Sequence, residues 1–573
     1  MRALVLRRGT VITCDAQDSV AEAIALADGK VLAVGIEEDV LTAAGADSHV
    51  VDLEGATVLP GLIDTHPHLM HFGVLSEPCA DLTDATDHED IVARIAKRAA
   101  QVPEGGWIMA TPVGEPHYFI RRSYRDLAEG TLPDRHVLDL ATSRHPVIIQ
   151  AWAPVTPNTM VLNTKALELL ELTSASPDRV GNVWIEKDGH GMPTGRLHGS
   201  VTNYYSNESF TNDLLARLPL LDPAAIGPGT ERAMHAYNAM GVTTVYEGHA
   251  MDFPLIEAYR WLRSEDRLTV RVLCCPEAEP YGAPWTQALT DEEFSARLAQ
   301  AASMVARDDD LLRIDGVTIS RGGPCWPGLL LMRDSYAGPY GEPTTGVSFV
   351  SAERAAEAIA FCAAHGVRLN IVTAGTLEHD DYLDQLEAVA QRPLAASQRA
   401  WILQHLYFVE PEQARRFAAL GLDATTSMSF AWGKGELFRE RIGEHVLEHL
   451  IPLQRLRDAG MHVACGTDWG PKNVFEQIAL AVEPHFAGSD AKNAGPAQVV
   501  SRSDALAMWT REAAHVLRWD GIGALAQGYH ADLTVVDRNS LTCPLEDLPE
   551  TKILATLLDG SAVHDTGIFS GPS

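Results

Sequence analysis

The stretch GLIDTHPHLMHFG, residues 61–73, directly follows the apolar run ATVLP at residues 56–60. A short apolar run bounded by glycine and proline is typical of a buried strand. His66 and His68 stand two positions apart at its end, and side chains with this spacing on a strand point to the same side. Both imidazoles can then reach one ion, so the stretch predicts a metal site at a strand end.

Downstream, apolar strand-like runs alternate with amphipathic helical stretches, which is typical of βα units around a parallel sheet. The helical stretches at 352–366 and 411–421 each end in glycine, a common helix stop. Eight runs have strand character, and they predict an α/β fold, a (β/α)8 TIM-like barrel. The predicted strands are VLPGLIDTHPH (58–68), TTVYEGHA (243–250), TVRVLC (269–274), LRIDGVTIS (312–320), VRLNIVTA (367–374), WILQHLYF (401–408), LDATTSMSF (422–430) and HVACGTDWG (462–470).

Three parts of the chain fall outside this alternation. Residues 1–57 and 521–573 both consist of short β runs and turns, and we expect them to form one small β-sandwich together. Residues 80–230 are too long for a single loop and carry their own strand and turn signals. They predict an inserted, lid-like subdomain, which leaves residues 58–79 and 231–520 for the barrel.

Polar residues lie at the predicted strand ends, where the active site of a barrel is found. They are His66 and His68 on strand one, Glu247 and His249 on strand two, His405 on strand six and Asp468 on strand eight. Imidazole and carboxylate ligands suit zinc or another borderline divalent metal. A histidine pair alone can be a structural feature, but the GTD strand end far downstream favours a metal centre.

The composition excludes several classes of partner. The chain of 573 residues has 45 basic and 77 acidic side chains and a formal net charge of −32, which argues against nucleic acid and anionic membranes. No segment reaches the roughly 18 uninterrupted apolar residues of a membrane helix. The eight cysteines are scattered without a CxxC pair, as expected of reduced core residues. We expect a cytoplasmic protein with a small-molecule substrate; a homodimer stays open.

The segments PGLIDTHPHL, GTDWG and REAAHVLRWDGIGALAQGYHADLTVVD resemble the amidohydrolase superfamily, in particular the branch of N-acyl-D-amino-acid deacylases and N-substituted formamide deformylases. The resemblance covers nearly the whole chain, and it implies a metal-dependent hydrolase acting on carbon–nitrogen bonds other than peptide bonds. It implies that His66 and His68 bind the ion and that Asp468 binds it and handles the proton of the attacking water. It also implies that His405 binds a metal or the substrate carbonyl.

Two positions depart from the pattern of this branch. Relatives usually have a strand-four lysine, often carbamylated to bridge two metals, where GVTISRGG has Thr318. They have a strand-five histidine where NIVTAGT has Thr373. Neither threonine is a credible ligand, so we expect one divalent ion, with zinc favoured. Its fourth ligand would be water, His405, Glu247 or His249.

The side chains around the predicted barrel mouth are mostly apolar. They are Met70, Phe72, Trp326, Met428, Phe430, Trp432 and Trp469, with Arg321, Lys434 and Lys472 as the nearby cations. An apolar substituent on the substrate would follow, and Arg321, Trp326 and Trp432 are candidate substrate contacts. Two histidines of the predicted insert, His117 and His198, are further candidates for the mouth.

Three functions are open from the sequence. The first is hydrolysis of a small N-substituted, N-acyl or N-formyl amide by metal-activated water. The second is a lyase, hydratase or isomerase that uses a single ion as a Lewis acid, which the missing strand-four and strand-five ligands would favour. The third is a barrel that has lost catalysis and only binds.

Overall fold

The computed structural model describes eight parts of the chain, and the structural statements below concern these. They are residues 2–114, 121–152, 155–206, 208–280, 288–323, 326, 328–389 and 401–569. The strands fall into a sheet with strands from both ends of the chain, a sheet within residues 108–199, two central parallel sheets and a short two-stranded ribbon.

The helices and strands follow one another in four stretches. The first contains β1 (Leu4–Ile12), β2 (Val20–Ala27), β3 (Lys30–Gly35), α1 (Glu37–Ala44), β4 (His49–Asp52) and β5 (Thr57–Pro60). The second contains β6 (Leu62–Asp64), α2 (Leu69–Ser76), α3 (His88–Ala99), β7 (Ile108–Ala110), α4 (Arg135–Ala141), β8 (Val147–Ile149), β9 (Asn158–Leu162), α5 (Thr164–Leu169), β10 (Arg179–Val180), β11 (Val183–Lys187), β12 (Pro193–Gly199), α6 (Ser209–Leu215) and α7 (Ile226–Ala239).

The third stretch contains β13 (Val242–Glu247), α8 (Phe253–Ser264), β14 (Arg271–Cys274), α9 (Asp291–Ser303), β15 (Leu312–Ile314), β16 (Val317–Ser320), β17 (Tyr336–Ala337), β18 (Pro343–Thr344), α10 (Ala352–His365), β19 (Leu369–Thr373), α11 (Thr376–Val389), β20 (Ile402–His405), α12 (Pro411–Ala419), β21 (Asp423–Thr426), α13 (Met428–Arg441), α14 (Leu453–Asp458), β22 (Val463–Cys465) and α15 (Val474–Val482). The fourth contains α16 (Arg502–Ala507), α17 (Arg511–Leu517), β23 (Leu533–Val536), β24 (Ile553–Leu558) and β25 (Ser561–Asp565). Among the helices in the described ranges, none is long and apolar enough to cross a bilayer.

An eight-stranded sheet contains strands from both ends of the chain. Its order is β25-β24-β23-β5-β1-β2-β3, and β4 pairs with β1. β5 pairs antiparallel with β23, with Val58 opposite Val535. Buried side chains such as Leu6, Ile24 and Leu533 form one apolar core against it. The alternating apolar residues of both end segments are therefore the buried face of a common sheet.

The central strands form two parallel sheets with the orders β15-β14-β13-β6 and β16-β19-β20-β21-β22, and not one closed ring. Each predicted strand overlaps one of them, but the prediction of a single fourth strand over 312–320 is wrong. Gly316 has φ of 119°, and a Cβ there would lie 2.7 Å from Cys275 Sγ. The chain bends at this glycine, so β15 joins the first sheet and β16 the second.

The predicted first strand, 58–68, is also divided. A Cβ at Gly61 would lie 2.2 Å from Thr243 Oγ1, and at this close approach the chain passes from β5 in the terminal sheet to β6 in a central sheet. β6 ends at Asp64, so the prediction that His66 and His68 lie on a strand is wrong. His68 instead precedes α2 in a left-handed conformation, with φ of 48°. The two side chains converge through a turn and not through strand alternation.

The predicted seventh strand is shorter than expected. β21 ends at Thr426, and Met428 already begins α13. The apolar residues Phe430 and Trp432, expected at a strand end, therefore lie on a helix. A short apolar run does not by itself distinguish a buried strand from the first turn of a buried helix.

Residues 108–199 contain a six-stranded sheet of their own, in the order β10-β11-β12-β9-β8-β7. Ile148 belongs to an apolar cluster with Leu162 and Leu197, whereas the neighbouring Ile149 belongs to a second cluster with Ile91. Successive strand residues point to opposite faces, so the sheet is covered on both sides. The strand and turn signals within the predicted insert thus correspond to a separate sheet with its own apolar packing.

A buried guanidinium connects a central sheet to the terminal sheet. Arg271, the first residue of β14, donates to Asp532 Oδ2 at 2.6 Å, to Asp559 Oδ1 at 2.6 Å and to His530 Nδ1 at 2.8 Å. These three partners satisfy the spacing of a metal site. Because the guanidinium bonds to all three, the group is a structural ion-pair network. The GYHAD segment near the chain end supplies two of its members.

Replacing Arg271 by Met should lower the free energy of unfolding by about 3–5 kcal/mol, because it leaves the buried carboxylate of Asp532 without its cation. Urea denaturation at neutral pH measures the change. Arg263→Met is the matched control, since Arg263 forms a part-exposed pair with Asp309 and should cost less than about 1 kcal/mol. Equal losses in the two variants would contradict a special role for the buried network.

Candidate metal centre

Three side chains direct their donor atoms at one point. Nε2 of His66 and Nε2 of His68 are 3.1 Å apart, and Asp468 Oδ1 lies 3.6 and 3.3 Å from them, respectively. All three residues are buried. Two ligands that each lie 2.0–2.1 Å from a tetrahedral ion are about 3.3–3.4 Å from one another. The spacing and the N, N, O donor set therefore fit an ion of the size of zinc, and these three sequence candidates come together.

Asp64 holds the two ligand-bearing segments in register. Its Oδ1 accepts hydrogen bonds from the backbone N–H of His66 at 2.9 Å and of Thr467 at 3.0 Å, and its Oδ2 accepts from the Thr467 hydroxyl at 2.6 Å. Burial raises the pKa of this carboxyl to about 6, against the opposing effect of these donors. The backbone N–H of Asp468 also donates to the His66 carbonyl at 2.7 Å. Residues from opposite ends of the central region are thereby fixed side by side.

Left-handed backbone conformations occur at three of the residues that meet at the site. φ is 48° at His68, 52° at Asp468 and 78° at His405, values that are uncommon for residues other than glycine. Gly466 allows the close approach of the two segments, because a Cβ there would lie 2.4 Å from the backbone nitrogen of His66. The GTD segment therefore needs its glycine for contact and its aspartate as a ligand. Unusual backbone conformations tend to concentrate at functional sites.

His405, the last residue of β20, lies against the three donors without joining them. Its ring stacks on that of His66, with centroids 5.0 Å apart and an interplanar angle of 22°. Burial lowers the pKa of His405 and of His66 well below the ordinary value. Neutral imidazole is the form that binds a metal. Among the described residues, His66, His68 and Asp468 are grouped closely enough to share an ion, and His405 lies beside this group.

Glu247 is buried near the centre, but its carboxyl bonds to α2 and α8. Its Oε1 accepts from the backbone N–H of Met70 at 2.9 Å and from the Tyr259 hydroxyl at 2.7 Å. Burial raises the pKa of Glu247 to about 7. Because α2 begins directly after His68, this carboxyl fixes the helix start that follows the second ligand. It is a support of the ligand segment and not a member of the donor set.

His249 has a polar neighbour at each ring nitrogen, and the one at Nε2 forms a hydrogen bond. Its Nδ1 lies 2.7 Å from Glu277 Oε1, and its Nε2 lies 2.5 Å from the hydroxyl of Tyr205. The ring is 5.3 Å from that of His68 between centroids. Sequence reasoning missed both partners, since Glu277 follows a strand end by a few residues and Tyr205 lies in the predicted insert. No pattern in the insert distinguishes Tyr205 from its neighbour Tyr204.

The two threonines at the usual ligand positions are buried, and Thr318 has a clear bonding role. Its hydroxyl donates to the Gly248 carbonyl at 2.6 Å, and the Asn370 amide donates to the same carbonyl. Thr373 ends β19 and pairs in register with His405. Thr318 therefore fixes the backbone before His249, and neither threonine belongs to the donor set.

A cavity of about 350 Å³ lies beside the residue that follows Asp468. Its wall is mainly apolar and includes Phe72, Met240, Trp432, Trp469 and Leu480. The Trp469 ring is 5.4 Å from the His68 ring between centroids, so this indole stands between the cavity and the donors. Of the seven apolar residues expected at the mouth, Phe72, Trp432 and Trp469 line this cavity.

The other sequence candidates have contacts of their own. Trp326 packs against the buried ammonium of Lys434, whose Nζ lies 4.6 Å from the ring centroid. Arg321 forms an ion pair with Asp381. Within the described ranges, no bond connects Arg321 to the three donors. His198 pairs with Glu186 of the insert sheet at 2.8 Å. His117 lies outside the described residues.

The family match covers residues 49–564, and the chain belongs to the amidohydrolase family. The resemblance seen in the sequence and the expectation of a hydrolase acting on carbon–nitrogen bonds are thus confirmed. The chain is 27% identical over 572 residues to an N-substituted formamide deformylase of Arthrobacter pascens, with 98% of each chain covered.

Two solved structures have a similar fold. One is an uncharacterized metal-dependent hydrolase from Pyrococcus horikoshii, with a TM-score of 0.70, 21% identity and coverage of 95% of this chain and 99% of that chain. The other is an atrazine chlorohydrolase from Arthrobacter aurescens complexed with zinc, with a TM-score of 0.52, 16% identity and coverage of 98% of this chain and 95% of that chain. At these identities the likeness concerns the fold alone.

His66→Ala should reduce the zinc content of the protein from about one ion per chain to near zero, because it removes one of three protein ligands. Elemental analysis after chelation, reloading and desalting measures it. His71→Ala is the control, since His71 is also buried beside His68 but outside the donor set. Zinc retained by His66→Ala, or lost from His71→Ala, would contradict the assigned ligands.

Proposed function

We propose that the protein hydrolyses the amide bond of a small N-formyl or N-acyl amine with an apolar substituent, using one divalent ion, zinc being the expected one. The observation that carries this proposal is the convergence of His66, His68 and Asp468 at tetrahedral ligand spacing beside an apolar cavity. The full-length likeness to a protein named N-substituted formamide deformylase supports the substrate class. The zinc complex of a protein with a similar fold supports the metal.

We further propose that the two central sheets together form the wall of a (β/α)8 barrel. Beyond the end of β6, the Thr65 hydroxyl donates to the carbonyl of Cys465, the last residue of β22, at 2.8 Å. On the other side, Glu277 and Thr318 form a parallel bridge between the segment after β14 and β16. These contacts link the two sheets at both edges. The donors then lie at the C-terminal ends of the strands, where barrel enzymes have their active sites.

In this proposal the three donor residues hold the ion. A divalent metal in such a site lowers the pKa of coordinated water to near 7 and polarises a carbonyl oxygen. The Asp468 carboxylate accepts the proton of the attacking water and returns it to the leaving nitrogen, so the amine departs neutral and no proton is lost. The imidazole of His405, in contact with His66, is placed to orient the substrate carbonyl.

The cavity favours a neutral, apolar substituent on the substrate. Its wall is largely aromatic and aliphatic, and Trp469 connects it to the donor site. Its cationic side chains have acceptors: Arg121 pairs with Glu476, and Lys472 donates to the Thr467 carbonyl at 2.9 Å. A substrate carboxylate would compete with these acceptors. An aryl or alkyl group on the amide nitrogen would instead pack against the tryptophans.

A second candidate is a lyase, hydratase or isomerase with a single Lewis-acid ion. The observation in its favour is that threonines replace both additional metal ligands usual in this branch. Turnover in ¹⁸O-labelled water separates the two, since hydrolysis must place one solvent oxygen in the acid product. A catalytically lost binding barrel is a weaker alternative, because the three donors are intact. The homodimer and the cytoplasmic location stay predictions.

Asp468→Asn should keep zinc bound, because the amide oxygen remains as a donor beside the two imidazoles, and should reduce kcat by about 10²–10⁴-fold, because an amide cannot accept the proton of the attacking water. Release of formate and amine from N-(2-phenylethyl)formamide measures it. Asp381→Asn is the control, since Asp381 pairs with Arg321 outside the donor set, and its kcat should stay within twofold. Wild-type turnover by Asp468→Asn would contradict the assigned proton acceptor.

A further inference from the structure

A tyrosine of the segment predicted as an insert reaches the edge of the metal centre. The hydroxyl of Tyr205 lies 2.5 Å from Nε2 of His249, and the two rings are nearly parallel, with an interplanar angle of 16°. The backbone at Tyr205 is left-handed, with φ of 52°. Phe349 packs edge-on against the Tyr205 ring. The segment that follows the separate sheet thus delivers one polar group to the central site.

Independent contacts fix the histidine that receives this hydroxyl. Glu277, itself buried, lies 2.7 Å from His249 Nδ1 and also accepts from the Ala250 backbone N–H at 3.0 Å. On the other side, Thr318 and Asn370 donate to the carbonyl of Gly248, the residue before His249. Thr318, which lies where a metal ligand was expected, therefore helps to fix the backbone at His249. Several buried contacts thus fix the orientation of the His249 ring.

Glu277 lies 2.7 Å from Nδ1 of His249 without an aligned hydrogen bond, and its negative charge favours the tautomer that carries the proton on Nδ1. In that tautomer Nε2 is an acceptor, and the Tyr205 O–H donates to it. The His249 ring lies 5.3 Å from that of His68 and 5.9 Å from those of His66 and His405 between centroids. The phenol is therefore held by a group that borders both the ligands and His405.

We propose that Tyr205 is a catalytic residue: its hydroxyl donates a hydrogen bond to the substrate oxygen that becomes negatively charged during hydrolysis. Glu277 and His249 are positioning residues that hold the phenol at the edge of the centre. This inference rests on the proposed amide hydrolysis. Rotation about the phenolic C–O bond exchanges one acceptor, Nε2, for another, the substrate oxygen. No covalent bond forms or breaks on Tyr205.

The inference gives the insert a defined part in the reaction. A hydrogen-bond donor to an oxygen that becomes negative during the reaction stabilises the transition state more than the bound substrate. One such donor typically raises kcat by about 10²–10³-fold. A donor on a separate unit also couples the reaction to the position of that unit. Substrate that prevents the segment around Tyr205 from packing against Phe349 should therefore react slowly.

The test compares Tyr205→Phe with Tyr204→Phe in the zinc-loaded enzyme. Tyr205→Phe should lower kcat for N-(2-phenylethyl)formamide about 100-fold, with KM within about threefold and zinc content and melting temperature unchanged. The neighbouring Tyr204 is buried, and its hydroxyl has no partner among the described residues, so Tyr204→Phe should leave kcat within twofold. A kcat for Tyr205→Phe within threefold of wild type overturns the proposal.

The positioning role has a separate readout. Glu277→Gln should lower kcat about tenfold in the wild-type background but by less than twofold when Tyr205→Phe is already present, because both changes remove one function. Additive losses would overturn the link between Glu277 and Tyr205.

A measurement on metal-free protein distinguishes this inference from the proposed function. Tyr205→Phe should shift the ¹⁵N resonance of His249 Nε2, identified by its loss in His249→Gln. Absence of any formamide turnover by wild type would reject the proposed function and the catalytic role together. With turnover present, an unchanged ¹⁵N resonance would overturn the hydrogen bond and therefore the proposal.

Discussion

The site depends on one buried carboxylate that does not itself belong to the donor set. Asp64 receives hydrogen bonds from the segment of the two histidine ligands and from the segment of the aspartate ligand, which are 403 positions apart from residue 64 to residue 467. Water cannot compete for these bonds at a fully buried position, so each lost bond would leave an unsatisfied polar group. The geometry of the three donors follows from this connection. The glycine at position 466 then allows the segments to touch.

A second constraint concerns Thr318, which lies where the resemblance to the family predicts a further metal ligand. The Thr318 hydroxyl donates to the Gly248 carbonyl and so fixes the backbone that carries His249. His249 in turn contacts Glu277 and Tyr205. A polar network of Thr318, His249, Glu277 and Tyr205 thus occupies this corner of the site. In the proposed reaction, the hydrogen-bond donor to the substrate oxygen would come from a residue outside the central strands.

The sequence predicted the parts of the fold that depend on local pattern. The strand runs, the helices that end in glycine, and the convergence of His66, His68 and Asp468 could all be placed because periodicity and strand-end position carry that information. The division of two predicted strands at Gly61 and Gly316 could not be predicted, since it arises from close approaches between residues distant in sequence. The histidine pair was predicted on a strand, but it lies in a turn in which His68 is left-handed. Contacts with distant residues also determine this conformation.

The partners of His249 were also beyond sequence reasoning. Tyr205 lies in the predicted insert and Glu277 in the segment after β14; neither carries a motif, and tertiary packing brings both to His249. Conversely, Glu247 at a predicted strand end had the right residue type for a ligand, but its carboxyl is used to start α2. Residue type and strand-end position therefore limit the candidates for a site. The partner of each polar atom decides which candidates belong to it.

X-ray absorption at the zinc edge of the reloaded protein tests whether two imidazoles and one carboxylate hold a single ion. Such a site should give about four nitrogen and oxygen neighbours, a scattering pattern that fits two imidazoles, and no metal–metal signal at about 3.5–4 Å. A second metal at that distance, or a pattern that requires three or more imidazoles, would contradict this assignment.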